Sequence, residues 1–383
     1  MPKIVFDLQS SAINFTWRWI MKMRNFLPLS LILLGAVNIY PQKNNYNYIP
    51  ETGYWEICTS QENSNLTPPF TWQYVQTPVT ASILDIFFID YNRGWASINT
   101  MGSIRTTNSG FTWDSSSYND TNFYGAFKGI YFPDANTGWC VGSNLQIRKT
   151  TNGGMNWFKQ TPPPGSGQFL NVYFFDVNTG FAIGSIGSPA QPFIAKTTNG
   201  GENWNVIPIT ISSKELNDQY WFNNSTGWIA GYNNLMKTTN GGTNWIAMYS
   251  AIPATANGQN QLLSIYFVNS MTGWIGSSNI EKWNIFKTTN GGNNWVFQPN
   301  PVSQNYTYAQ INDVRFISAD TGWAVNGSPA GGAIMFTSNG GTNWIIEDGT
   351  PTWFDCLSIY QRQKAWCGAS LGRVWYTDLI LNI

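Results

Sequence analysis

One signature recurs along the chain and ends each time in tryptophan: TTNSGFTW (106 to 113), TTNGGMNW (150 to 157), TTNGGENW (197 to 204), TTNGGTNW (238 to 245), TTNGGNNW (288 to 295) and TSNGGTNW (337 to 344). The period is about 45 residues. Self-similarity at roughly 20 to 50 residues marks a chain of stacked or radial units, none of which buries its apolar face alone. A second signature precedes each box: RGWAS at Trp95, TGWCVG at Trp139, TGFAIG at Phe181, TGWIAG at Trp228, TGWIG at Trp274, TGWAV at Trp323 and, with no box after it, KAWCGA at Trp366. The second signature counts seven units and the first only six.

The chain ends explain the missing box. TWQYVQTP (71 to 78) matches NWFKQTP (156 to 162), the strand that follows the turn elsewhere, whereas the sequence stops soon after LGRVWYTDLI. The seventh unit is therefore split, its outer strand supplied by residues 71 to 76, which closes a ring and removes two exposed sheet edges. Within a unit, short runs such as KGIYFPD, GWCVG, IRKTT and NWFKQ alternate apolar and polar residues, the pattern of half-buried strands. The expected fold is all-β, a seven-bladed β-propeller over 71 to 383 whose last blade is closed by an N-terminal strand, with 42 to 70 as an extended lead-in.

The box, read as Thr-x-Asn-x-Gly-x-x-Trp, resembles the Asp box, Ser/Thr-x-Asp-x-Gly-x-Thr-Trp, of sialidase-like and related bacterial propellers. Together with the upstream Gly-Trp segment it looks most like the repeat of the photosystem II stability and assembly factor type, a seven-bladed single-domain family, and the likeness spans about four fifths of the chain. Asn108, Asn152, Asn199, Asn240, Asn290 and Asn339 stand where that pattern has Asp. Physically the box is a turn device: Asn tolerates positive φ and bonds its own downstream backbone, and the glycines add further freedom. The box and Gly-Trp tryptophans read as architecture, because a buried indole hides roughly 150 to 250 Å², worth about 4 to 6 kcal/mol.

Composition narrows the chemistry. The chain has 383 residues with 20 basic against 20 acidic side chains and no histidine, which removes the usual general base, the His-dependent nucleophilic systems and the commonest metal ligand. A net charge of zero leaves no footprint for nucleic acid. No cofactor or metal is expected, and an Asn turn lacks the charge and the ligand number that calcium requires. Met21 to Arg24 followed by the apolar run Phe26 to Val37 reads as a signal peptide over 21 to 41, with 1 to 20 as a start-site extension. The apolar run is short for a membrane span. The mature chain is thus expected to be a monomer that is secreted, periplasmic or at the cell surface, without a stable membrane span. Cys356 and Cys367 flank a hairpin and either pair or stay as buried thiols.

Two repeated positions bear on function. A basic residue lies eight before the box tryptophan in five units, Arg105, Lys149, Lys196, Lys237 and Lys287, and is expected to lay its stem along an aromatic ring with its charge in solvent. Ten residues before the Gly-Trp tryptophan lie Asp85, Gly129, Asn171, Asp218, Ser264 and Asp313, and Ser358 after allowing for a turn two residues shorter. These small or polar residues are expected to ring the mouth of the axial channel, as backbone clamps or as a ligand site. Tyr124, Trp283, Tyr306 and Trp353, with Tyr118, Phe123, Phe169, Tyr308 and Phe354, lie in the inter-blade loops or insertions and are expected to add contact surface.

The resulting expectation is a non-enzymatic scaffold that binds a protein or glycan partner in the envelope or outside the cell. On this view Asp218 and Asp313 are replaceable by Asn at little cost in stability. The alternative is a glycoside hydrolase of xyloglucanase or sialidase type, working through Asp carboxylates. The sialidase version needs an arginine triad. The arginines after residue 41 are Arg93, Arg105, Arg148, Arg315, Arg362 and Arg373, two of which sit on the strand before the box. A carboxylate pair about 5 to 10 Å apart in an open cleft would favour hydrolysis; dispersed, backbone-bonded Asp residues favour binding.

Overall fold

The structure, a computed structural model, describes residues 46–49, 54–57, 70–100, 102–118, 125–209, 211, 214–253, 260–278, 285–299, 301, 310–328, 331–350 and 352–379. The expected start-site extension and signal peptide lie outside these residues. The chain divides into Met1–Asn65 and Leu66–Ile383. In the first unit Tyr46–Ile49 pairs antiparallel with Tyr54–Ile57, a hairpin in part of the stretch expected to be extended.

The second unit consists of seven sheets, each with four antiparallel strands, and is a seven-bladed β-propeller. The first strands of successive blades are Ile83–Phe88, Phe127–Tyr131, Gly167–Phe174, Leu216–Trp221, Gln261–Phe267, Gln310–Phe316 and Phe354–Tyr360. Each touches the next, and Phe354–Tyr360 touches Ile83–Phe88, so they form the inner ring. The Gly-Trp segments are the second strands and their residues are buried. Blade 7 is completed by Gln73–Gln76 on Arg373–Asp378, with Gln73 opposite Tyr376 and Gln76 opposite Arg373. In blade 2 a fifth strand, Ser117–Tyr118, runs parallel to the outer strand Asn156–Lys159.

Aromatic stacking joins the blades. Five of the six Gly-Trp tryptophans lie flat on a ring at the end of the next blade's first strand: Trp95 on Phe132 (3.7 Å), Trp139 on Phe174 (3.5 Å), Trp228 on Phe267 (4.0 Å), Trp274 on Phe316 (3.5 Å) and Trp366 on Phe88 (3.6 Å). Trp323 packs instead against Phe70 and the aliphatic Ile359. Blade 3 has Phe181 instead, and its neighbour answers with Trp221 at 4.6 Å. The glycine of the motif is needed because a Cβ at Gly138 would fall 2.4 Å from the Phe132 ring of its own blade. Blade 7 carries Ala365 there, opposite the smaller Ile359. The box tryptophan meets the same Phe edge-on, as in Phe132–Trp157 at 5.8 Å and 80°.

The box turn is held by its own side chains. Thr150 Oγ1 accepts from the Asn152 and Gly154 amides, while Asn152 Oδ1 accepts from Thr150 Oγ1 and the Asn156 amide, all within 3.0 to 3.3 Å. In this box the asparagine uses its side-chain oxygen, which Asn shares with Asp, while in the first box Asn108 Nδ2 also donates to Thr112 Oγ1 (2.9 Å). Positive φ falls on Gly153 (67°) and Gly154 (79°), or on Ser109 (63°) in the first box, and not on the asparagine. Cys140, Cys356 and Cys367 are buried free thiols, so the alternative of a Cys356–Cys367 bond is not taken.

Glu347, on the outer strand of blade 6, latches the N-terminal segment. It accepts from the Phe70 amide (3.2 Å), Trp72 Nε1 (3.0 Å) and Trp323 Nε1 (3.0 Å). A chain that begins at Val79 loses both the closing strand and this latch, and is expected to aggregate or to melt far below the full chain. Melting of the two chains at one temperature, followed by circular dichroism, would refute strand closure.

Candidate binding site at the propeller axis

Each inner strand carries a β-bulge near its start. In blade 1 Ile83 pairs with Ile98 and Asp85 with Ser97, leaving Leu84 as the extra residue. The same shift makes Lys128, Leu170, Asn217, Leu263, Asn312 and Asp355 the extra residues of blades 2 to 7. Directly after the bulge come Asp85, Gly129, Asn171, Asp218, Ser264, Asp313 and Cys356, so six of the seven expected positions form one layer. Ser358 does not belong to it. Ser358 faces Trp366 across the ladder, as Phe87 faces Trp95, and the expected shorter turn is absent: Ile359 pairs with Ala365 at the same spacing as Phe88 with Gly94.

The layer is a set of clamps between blades. Asp85 Oδ2 accepts from the Ile130 amide of blade 2 (2.8 Å), Asp218 Oδ2 from Ile265 of blade 5 (2.8 Å) and Asp313 Oδ2 from Leu357 of blade 7 (2.8 Å). Their Oδ1 atoms accept from the Ile86, Gln219 and Val314 amides next in sequence. Asn171 Nδ2 donates to Asp218 Oδ1 (2.9 Å), and Ser264 Oγ donates to Asp313 Oδ1 (2.7 Å). Ser358 Oγ accepts from the Phe88 amide (3.1 Å) one layer further along. Replacement of Asp218 and Asp313 by Asn therefore removes inter-blade bonds; the expectation that it spares stability is corrected.

Arg315 compensates this charge. It is paired with Asp313 at 2.7 Å and lies 5.5 Å from the Tyr266 ring. Burial pushes the Asp85 carboxyl up to about 7, against the pull of the Ile130 amide and Arg315. Asp218 is pushed up by burial to about 6, with Arg315 the main counterweight. Asp313 is raised for the same reason and held back by the same arginine.

Two ionisable bulge residues escaped sequence reading, although both stand one place before the layer that was counted. Burial pushes Asp355 up to about 7, against a hydrogen bond from Trp353, and lowers Lys128, with Glu215 opposing. Asn217 and Asn312 donate to the Leu262 and Phe354 carbonyls of the next blades. Trp353 is half-buried over Gly327, where a Cβ would lie 2.3 Å from the indole. Phe169 and Phe354 are fully buried core and not contact surface. Tyr124, Trp283 and Tyr306 lie outside the described residues, as do Phe123 and Tyr308.

The repeated lysines do more than hold charge in solvent. Lys149, Lys196 and Lys237 donate to the Gly200, Gly241 and Gly291 carbonyls of the next blade's box at 2.8 to 3.0 Å. Their Nζ atoms lie 5.0 to 5.1 Å from the rings of Trp139, Phe181 and Trp228.

Comparisons with known proteins agree with this architecture. The family model described as photosynthesis system II assembly factor YCF48 matches residues 65–162. Over those residues the repeat resembles that of the photosystem II assembly factor. A structure titled YCF48 bound to D1 peptide superposes with a TM-score of 0.63 at 20% identity, covering 82% of this chain and 98% of that one. YCF48 from Cyanidioschyzon merolae gives 0.64 at 18% identity over 80% and 98%. The GH74 enzyme of Niastella koreensis gives 0.60 at 15% identity, and the match spans 82% of this chain but only 54% of that enzyme. At these identities the likeness concerns the fold. No curated protein matches the chain.

The buried carboxylates set a pH dependence. Their native pKa values exceed the usual 3.8, so the native state holds more protons and stability falls as pH rises through the window up to about 7. Replacing Arg315 by Met leaves those charges uncompensated, at a cost of about 3 to 5 kcal/mol. With the Arg315 side chain 25% exposed, the lower end is expected at pH 8. The loss should shrink at pH 5, where the carboxyls protonate; equal losses in urea unfolding at both pH values would contradict the assignment.

Proposed function

We propose that the chain is an exported binding scaffold without turnover, whose partner is a polypeptide. The observation that carries this reading is the use of Asp85, Asp218 and Asp313: dispersed over blades 1, 4 and 6, each is consumed by backbone amides of its own and the next blade. Such carboxylates make a rigid ring, and a rigid ring with long inter-blade connections is a platform for recognition. The family match over residues 65–162 and the likeness to a YCF48 structure with a bound peptide support a polypeptide over a glycan. Export rests on the sequence of residues 21 to 41. The partner is taken at the end of the ring where the first strands begin, where Lys128, Asp355 and Trp353 supply charge and an aromatic surface beside the clamps.

Peptide and glycan arrays probed with the purified chain test this. Binding to peptides is expected, weakened at least tenfold by combining Lys128→Met with Asp355→Asn, at a melting temperature within a few degrees of the parent. Release of reducing sugars from polysaccharide, abolished by Asp355→Asn, would overturn the scaffold reading in favour of a hydrolase.

A further inference from the structure

At the opposite end of the ring, between blades 1 and 2, lies a cavity of about 210 Å³ lined by Arg93, Trp95, Arg105, Asn136, Asn152 and Met155 among others. It lies where the repeat exchanges its lysine for arginine. In blades 2, 3 and 4 the residue before the box is a lysine whose ammonium reaches the next blade's glycine carbonyl. In blade 1 that residue is Arg105, and the matching carbonyl, Gly153 O, accepts from Trp95 Nε1 at 2.9 Å, as Gly340 O accepts from Trp274 Nε1 in blade 5. Arg105 is instead 3.9 Å from Asp114, a carboxylate whose side chain is 73% exposed. An ion pair of that length to an exposed carboxylate adds little and yields readily to a better acceptor.

The second guanidinium is held in place. Asp90 Oδ1 accepts from the Asn92 and Arg93 amides, and Asp90 Oδ2 from Arg93 Nε at 2.6 Å. Asp90 thus fixes the side chain through one of its five N–H groups and leaves the Nη edge for another acceptor. The lining residues Arg93, Arg105, Thr107, Asn136 and Asn152 all carry hydrogen-bond donors. Planar guanidinium forks match the two oxygens of a carboxylate. The volume is below the roughly 300 Å³ at which small-molecule pockets begin, and suits a single residue of a longer segment.

We propose that this cavity is a carboxylate-binding site that takes one acidic group of a peptide, from an aspartate side chain or a free C-terminus, on Arg93 and Arg105. It goes beyond the partner-binding end described above and uses none of those residues. Met155, 47% exposed at the rim, offers apolar contact to the neighbouring residue of such a segment.

The test uses the full chain labelled with nitrogen-15 at arginine, titrated with three hexapeptides of glycine, serine and alanine: one with a free C-terminus, one amidated, and one amidated with a central aspartate. The Nε–H signals of Arg93 and Arg105 are expected to move with the free-acid peptide, the aspartate peptide or both, and to stay with the neutral amide. Which acidic peptide acts identifies the source of the carboxylate. Arg105→Met is expected to weaken the response at least tenfold, a charged hydrogen bond being at stake, with the melting temperature unchanged. Absence of any shift at millimolar peptide, an equal response to the amide, or tighter binding of inorganic phosphate than of either acid would overturn the assignment. Loss of peptide binding at the other end of the ring would leave this titration unchanged, so the two proposals fail separately.

Discussion

The structure depends on one contact made at six of the seven joints of the ring: an indole laid face to face on an aromatic ring of the adjoining blade. Stacking at 3.5 to 4.0 Å buries two large apolar surfaces at once and fixes the angle between sheets. Each blade alone is a small twisted sheet with both faces exposed, too little to bury a core. Closure converts seven marginal sheets into one cooperative unit, in which every face has a neighbour. The exchange of Trp for Phe in blade 3, answered by Trp221 for Phe in blade 4, shows that total aromatic volume at the joint is what the fold requires.

Polar groups at the axis and at the box turns complete the same joints. At one end, carboxylates reach across to backbone amides left open where the bulge interrupts the ladder. At the other, lysines reach across to glycine carbonyls of the turns. Both devices satisfy buried backbone groups that would otherwise cost about 1 to 3 kcal/mol each, and both run in one direction around the ring, from each blade to the next. Arg315 is the counter-charge that lets three buried carboxylates coexist.

The blade that lacks a box shows how the pattern is repaired. Tyr376 occupies the place of the basic residue before the box, and the cation comes instead from Lys364 on the second strand, 4.6 Å from the Tyr376 ring, 4.3 Å from the Phe111 ring and 3.4 Å from Asp378. Burial lowers the Lys364 pKa, opposed by Asp378. Between blades 6 and 7 Phe70 packs against Trp323 at 5.7 Å, and Glu347 ties the two regions together. The joints nearest the chain ends are therefore built from residues outside the repeat.

The repeat alone was enough to read blade number, strand order, the split seventh blade and the structural role of the tryptophans, because each follows from spacing and side-chain volume that every unit states again. The polar layer was legible to six positions of seven for the same reason, and the seventh was misplaced by two residues because a shorter turn was assumed in blade 7, where the regular position holds the apolar Cys356 and the turn keeps its usual length. What those residues do was decided by tertiary structure. Whether Asp218 is a clamp or a ligand group depends on an amide of blade 5 that lies 47 residues away, and whether Arg105 caps a carbonyl or faces a cavity depends on which donor reaches Gly153 first. Spacing along a chain carries no information about such cross-blade contacts; only the closed ring brings the groups within hydrogen-bonding distance.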